Sequence, residues 1–130
     1  METADFCSYE LSKRLKDCGF DEPCDHLYDC HGNLNRYADT HRINRNTNGH
    51  HTPSCSAPTL AHAQKWLREV KGLHIAITWG YSFQWLWFGL HITKFPKGDE
   101  FEKGNFGYST YEQALFAGIS ASLELIKKGE

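Results

Sequence analysis

The sequence predicts an α+β fold, a two-layer sandwich in which helices cover one face of a mostly antiparallel sheet. Apolar residues recur at spacings of three and four in three segments, as in amphipathic helices. Two stretches, 74–79 and 83–95, alternate with a period of two, as strands do, and the turn PKGD at 96–99 leads into a further antiparallel strand. Helices that must bury one stripe and strands that must bury one face pack on each other in two layers.

The elements follow in order. In SYELSKRLKDCGF, Leu11, Leu15 and Cys18 share a helical face, Gly19 offers a left-handed C-cap, and Phe20 can fold back on the last turn. YDCHGNLNRYA reads as a hairpin with HGN at its turn and short strands near His26 to Tyr28 and Leu34 to Tyr37. DTHRINRNTNGHHTPSCSAP has neither period and reads as a long polar loop at about 38–58 within one domain spanning 1–130; loops of that length in small domains are functional or disordered. PTLAHAQKWLREVKG is a helix with Thr59 placed to cap, Leu60, Ala63, Leu67 and Val70 on one face, and Gly72 as the stop.

HIAITW follows as a strand, with Ile75, Ile77 and Trp79 alternating against His74, Ala76 and Thr78. A long strand from Phe83 to Phe95 carries Leu86, Phe88, Leu90 and Ile92 on one face and Phe83, Trp85, Trp87, Gly89, His91 and Thr93 on the other. EFEKGNF returns as the next strand. The last helix starts at a capping box, Ser109 with Glu112, and aligns Leu115, Ile119, Leu123 and Ile126, with Gly118 small enough for close approach to the sheet.

Composition excludes several classes. The net charge is −2 and the fourteen Lys and Arg are scattered, so bulk capture of nucleic acid is not expected. No apolar run reaches the ~18–20 residues that cross a membrane, and METADFCSYE lacks a basic and an apolar export region, so the expectation is a soluble, cytoplasmic protein. Five cysteines, an odd number without an export signal, read as reduced thiols.

Candidate chemistry is sparse. Cys24, His26, Cys30 and His31 are of the residue types that zinc prefers, with His50, His51 and Cys55 later, but the spacing is not that of a zinc knuckle, and neither metal nor cofactor is assigned. There is no G-x-S-x-G elbow, H-E-x-x-H helix, P-loop or dinucleotide fingerprint, and no nucleophile and base are paired by spacing. The adjacent acids of GFDEP, residues 19–23, read as a solvated turn.

The stretch WGYSFQWLWFG, residues 79–89, holds three of the four tryptophans. If helices cover the aliphatic face of the long strand, Trp85 and Trp87 stand on the face left over and must meet the polar loop, a second subunit or a ligand. The candidate ligand-binding set is therefore Trp79, Trp85, Trp87 and His91, with Arg42 and Arg45 of the loop available to an anion.

ELSKRLKDCGF, SAPTLAHAQKWLREVKGLHI and YSTYEQALFAGISASLELI together resemble segments of small uncharacterised proteins of gut Bacteroidetes, their phages and mobile elements, over rather under half of the chain. These are framework segments, so the resemblance implies a shared fold and a mobile-element origin and carries over no functional residue. On that footing the leading expectation is a non-catalytic, phage-type anti-defence protein in the cytoplasm of a bacterial host. It would sequester a nucleotide-like signal or block a host defence protein, in a homo-oligomer whose interface can complete the pocket. One alternative is a structural or protein-interaction module self-associating through the tryptophan-rich strand. Another is a zinc-dependent or cysteine enzyme built on residues 24–55.

Overall fold

The computed structural model describes residues 6–29, 31–36, 55–82, 85–94 and 99–128, with the backbone alone at 36, 81, 82, 85–87 and 99–106. Contacts divide the chain into two compact units, residues 1–61 and 62–130. Among the described residues are three helices and two three-stranded antiparallel sheets, so the fold is α+β.

In the first unit, α1 (Tyr9–Asp17) begins where the Ser8 side chain accepts from the Leu11 amide at 3.1 Å. It ends in a Schellman turn: the Phe20 amide donates to the Leu15 carbonyl at 2.9 Å and the Gly19 amide to Lys16 at 3.1 Å. Gly19 sits at φ 98°, a conformation that costs a β-carbon dearly, and Phe20 is buried against the turn, as the sequence predicts. Leu11 and Leu15 are buried, and Cys18 forms the C-cap.

Strands β1 (His26–Tyr28) and β2 (Leu34–Arg36) form the expected hairpin, and Tyr37 lies outside the described residues. Its turn is organised by Asp29, whose carboxylate accepts from the His31 and Asn33 amides at 2.9 and 3.0 Å and from Asn35 Nδ2 at 3.1 Å. These donors hold the Asp29 carboxyl below its ordinary pKa, the Asn33 amide most of all.

The predicted long loop needs correcting at its end. Residues 55–58 are buried, and β3 (Cys55–Ser56) pairs with the free edge of β1, giving the sheet order β2-β1-β3. Cys55 and Ala57 are small and apolar, so they fit against Tyr28, while backbone bonds from Ala57 to His26 and from Cys7 to Pro58, each 3.0 Å, satisfy the buried chain. The rest of that stretch, 37–54, lies outside the described residues.

Helix α2 (Leu60–Val70) follows Thr59, which forms a bridge pair with Phe6. Leu60, Ala63 and Leu67 are buried as expected, but Val70 is 57% exposed and Trp66 takes its place in the core. Val70 falls in the last turn, just before the chain breaks away at Lys71 and Gly72.

The second unit pairs β4 (Leu73–Ser82), β5 (Trp85–Lys94) and β6 (Asp99–Tyr108) in that order. Positions 83 and 84, including Phe83 of the predicted long strand, lie outside the described residues. Helix α3 (Tyr111–Lys128) packs across all three strands. Its buried stripe is Ala114, Leu115, Gly118, Ile119, Ser122 and Leu123, set against Leu73, Ile75, Leu90 and Ile92 of the sheet. A β-carbon on Gly118 would lie 2.6 Å from Ile75 Cγ2, so glycine permits this approach.

The capping box lies one residue later than the sequence predicts. Thr110 Oγ1 accepts from the Gln113 amide at 3.1 Å, and Gln113 Oε1 accepts from the Ser109 amide at 3.1 Å. This T-x-x-Q variant of the box reaches back to the Ser109 amide, one residue before the Thr110 cap, and leaves Glu112 in the first turn, where the helix dipole favours a negative charge.

Candidate functional site

The aromatic stretch forms the hairpin of β4 and β5, and its cross-strand register decides which rings share a face. Trp79 pairs with Phe88, Gly80 with Trp87, Tyr81 with Leu86 and Ser82 with Trp85. Side chains alternate along a strand, so Ile75, Ile77 and Trp79 share the face of Phe88, Leu90 and Ile92. That is the face α3 covers, because Gly118 meets Ile75 on it. The register positions of Trp85, Trp87 and His91 fall on the opposite face, with Thr78, Gly80 and Gly89.

The structure therefore separates the predicted ligand-binding set: Trp85, Trp87 and His91 share one face, and Trp79 belongs to the other. Arg42 and Arg45 lie outside the described residues.

On the helix side, the core ends before the hairpin does. Leu90 and Ile92 are buried, Phe88 and Ile77 are half-buried, and Trp79 is 70% exposed. Tyr111, itself 45% exposed, meets Phe88 edge-on with ring centroids 6.5 Å apart. The sequence reading missed Tyr111 as a neighbour. The signal was available in the two-residue link 109–110, which sets the first turn of α3 level with Phe88 through its partner Tyr108.

On the other face Ala76 is exposed, while His74, Thr78, His91 and Thr93 are half-buried. Gly89 lies between the positions of Trp87 and His91, and Gly80 stands directly across from Trp87, so two positions beside that tryptophan carry no side chain. Thr78 Oγ1, opposite Gly89, is buried without a hydrogen-bond partner among the described residues, an arrangement that ordinarily costs about 1–3 kcal/mol. The fourth tryptophan, Trp66, is core, with the Lys71 ammonium 5.7 Å from its ring centroid.

The thiols of the first unit are structural in character. Cys7, Cys24 and Cys55 are buried thiols. Burial raises the Cys7 pKa far above its ordinary value, and Cys24 adds to the effect; burial also pushes Cys55 up to about 11 although Lys16 and Lys13 pull it down. The Tyr28 hydroxyl donates to the Cys7 carbonyl at 2.6 Å, and burial raises its pKa too. A nucleophilic or metal-binding cysteine acts as thiolate, the form that the Cys7 and Cys55 sites disfavour.

Among the described residues the candidate metal ligands do not converge. The Cys24 thiol donates to the Glu22 carbonyl at 3.5 Å, the His26 ring packs on Phe6 with centroids 4.7 Å apart, His31 is exposed on the hairpin turn, and Cys30 lies outside the described residues. Among the described residues no three His, Cys, Asp or Glu side chains are grouped to hold a metal ion.

No protein-family model matches the chain, and neither a curated protein nor a solved structure does.

Proposed function

We propose that this chain is a non-catalytic binding protein that holds a flat, nucleotide-like ligand on the sheet face turned away from α3. One observation carries the reading: the register of β4 and β5 puts Trp85, Trp87 and His91 in one row, with Gly80 and Gly89 beside Trp87. A planar ring needs an aromatic surface about 3.5 Å away and space to lie in, and glycine neighbours supply the space. The high pKa values of Cys7 and Cys55 further support binding over cysteine catalysis. The resemblance of the framework segments to mobile-element proteins supplies the setting, a phage-type protein that sequesters a host defence signal in the bacterial cytoplasm.

Native mass spectrometry of the purified protein, alone and mixed with cyclic nucleotides and ADP-ribose-type compounds, tests this. A specific mass shift is expected. Since stacking is worth about 1–3 kcal/mol per base, Trp87→Ala should weaken uptake about 5- to 150-fold while the protein stays folded. The reading fails if no member of the panel binds, or if the folded variant binds as well as the parent.

The exposure of Trp79 favours a second reading, in which the same hairpin also makes a protein contact.

A further inference from the structure

The two edges of the second sheet differ in their guarding. On β6, Asp99, Glu100, Glu102 and Lys103 lie along the strand, and its pairing with β5 is broken by three register shifts. Charge and bulges are the devices that keep an edge strand from adding another. On β4, the run Ala76–Ser82, AITWGYS, has no charge and no proline, and its pairing with β5 is regular throughout.

Two observations show which backbone groups of β4 face outward. The pair Ser82 and Trp85 closes a two-residue connection, and such closing pairs are hydrogen-bonded to each other. With a period of two, the amides and carbonyls of even-numbered residues face β5 and those of Ile75, Ile77, Trp79 and Tyr81 face away. In agreement, the Ile75 carbonyl accepts from Gln64 Nε2 of α2 at 3.0 Å. Gln64 therefore blocks the edge at Ile75, and among the described residues no strand pairs with β4 beyond it.

We propose that a second copy of this chain adds to this edge, β4 against β4 in antiparallel register about a twofold axis at Trp79. The edge is complementary to itself: Ile77 meets the partner's Tyr81 and Trp79 meets the partner's Trp79, so the three outward-facing residues beyond the blocked Ile75 all meet another. The dimer has one continuous sheet of six strands, β6-β5-β4 followed by the partner's three in reverse. Cross-strand α-carbons about 5.5 Å apart bring the two Trp79 rings together on the α3 side, each backed by its own Phe88. This removes the most exposed large apolar residue described in the chain from water. Of the possible occupants, a second copy is favoured because it supplies an equally uncharged strand with the matching pattern of donors and acceptors.

Sedimentation of the full chain between 1 and 100 µM should give twice the 14.9 kDa chain mass at the upper end. W79K and W79E should each lose association at least tenfold, through like charges at the axis, and an equimolar mixture should recover the dimer through opposite ones. F116K, on the exposed side of α3, should leave it intact. Hydrogen exchange at the amides of Ile77, Trp79 and Tyr81 should slow as concentration rises in the parent and not in W79K. A parent that is monomeric at 100 µM, a W79K that dimerises unchanged, or outward amides that gain no protection overturns the proposal. Nucleotide uptake by monomeric W79K keeps this test separate from the ligand reading, because Trp79 lies on the opposite face from Trp87.

Discussion

In the first unit the described strands have two or three residues, whereas in the second three strands have ten each and an eighteen-residue helix lies across them. The first holds its form with local devices: the Ser8 cap, the Schellman turn at Gly19, and an Asp29 carboxylate that accepts three hydrogen bonds within six residues of itself. Its buried residues combine Leu11, Leu15 and Phe20 with the small thiols Cys7, Cys24 and Cys55 and with Tyr28. The second depends on contacts far apart in sequence, such as Gly118 on Ile75, with a shared face of aliphatic side chains. Short-range hydrogen bonding can specify a turn, but only long strands in fixed register create an extended face, and three of the four tryptophans belong to such strands.

The contrast sharpens most where the long-range core is broken. Ile119→Ala, at a fully buried site on α3, should destabilise the protein by about 2–5 kcal/mol in urea titration, the range of large-to-small core changes. Gly118→Val attacks the same contact from the other side by overpacking, and should cost about 1–3 kcal/mol or more because the buried Ile75 has to shift. Equal stability of either variant and the parent would mean that α3 does not rest on the sheet in this way.

A local device should give a smaller effect. Gly19→Ala, at φ 98°, is expected to cost about 1–2 kcal/mol by chemical denaturation, and an unchanged midpoint would remove the Schellman turn from the account.

Alkali probes the thiol core. The folded-state pKa values of Cys7, Cys55 and Tyr28 are raised, so their contribution to stability is intact below the unfolded thiol value near 9. It is then lost as pH rises, for Cys55 over the window from about 9 to about 11. Stability should therefore decline above pH 9, and at pH 8 iodoacetamide should modify Cys18 well before Cys7, Cys24 or Cys55. Equal labelling of all four would contradict their burial. Acid should act on the hairpin instead: Asp29 is held below its ordinary value, so its contribution is present above about pH 4 and fades as pH falls further, readable as faster exchange of the Asn33 amide.

The smallest effect is expected at Thr78→Val. It removes a buried hydroxyl with no partner among the described residues and keeps the shape, so stability should be unchanged or slightly raised. A clear loss would reveal a bond made by that hydroxyl.

Much of the framework was legible in the sequence because its signals are local. A period of three and four, Gly19 with Phe20 after it, HGN between short strands, and a period of two over 74–79 each depend on neighbours in the chain, and each led to the observed element. The errors were likewise local. Choosing between Ser109 and Thr110 as cap, or between Val70 and Trp66 as core, turns on a single residue of helix phase or length, and propensity does not resolve that. The aromatic stretch was harder to read. Strand alternation alone assigns Trp79 to one face and Trp85 and Trp87 to another only once the register of β4 on β5 is known, and register is a pairing between residues that hydropathy does not specify when both strands are aromatic throughout.

The sequence by itself determined that helices and antiparallel strands would form, where most of them begin and end, and that three of the four tryptophans would fall on strands. The pairing of β3 with β1, the burial of three thiols, and the separation of Trp79 from Trp85, Trp87 and His91 were decided only by tertiary structure. So was the difference between a guarded β6 edge and an unguarded β4 edge. Each of these is a relation between distant residues, brought about when burial and hydrogen bonding are satisfied together, and no one segment contains it.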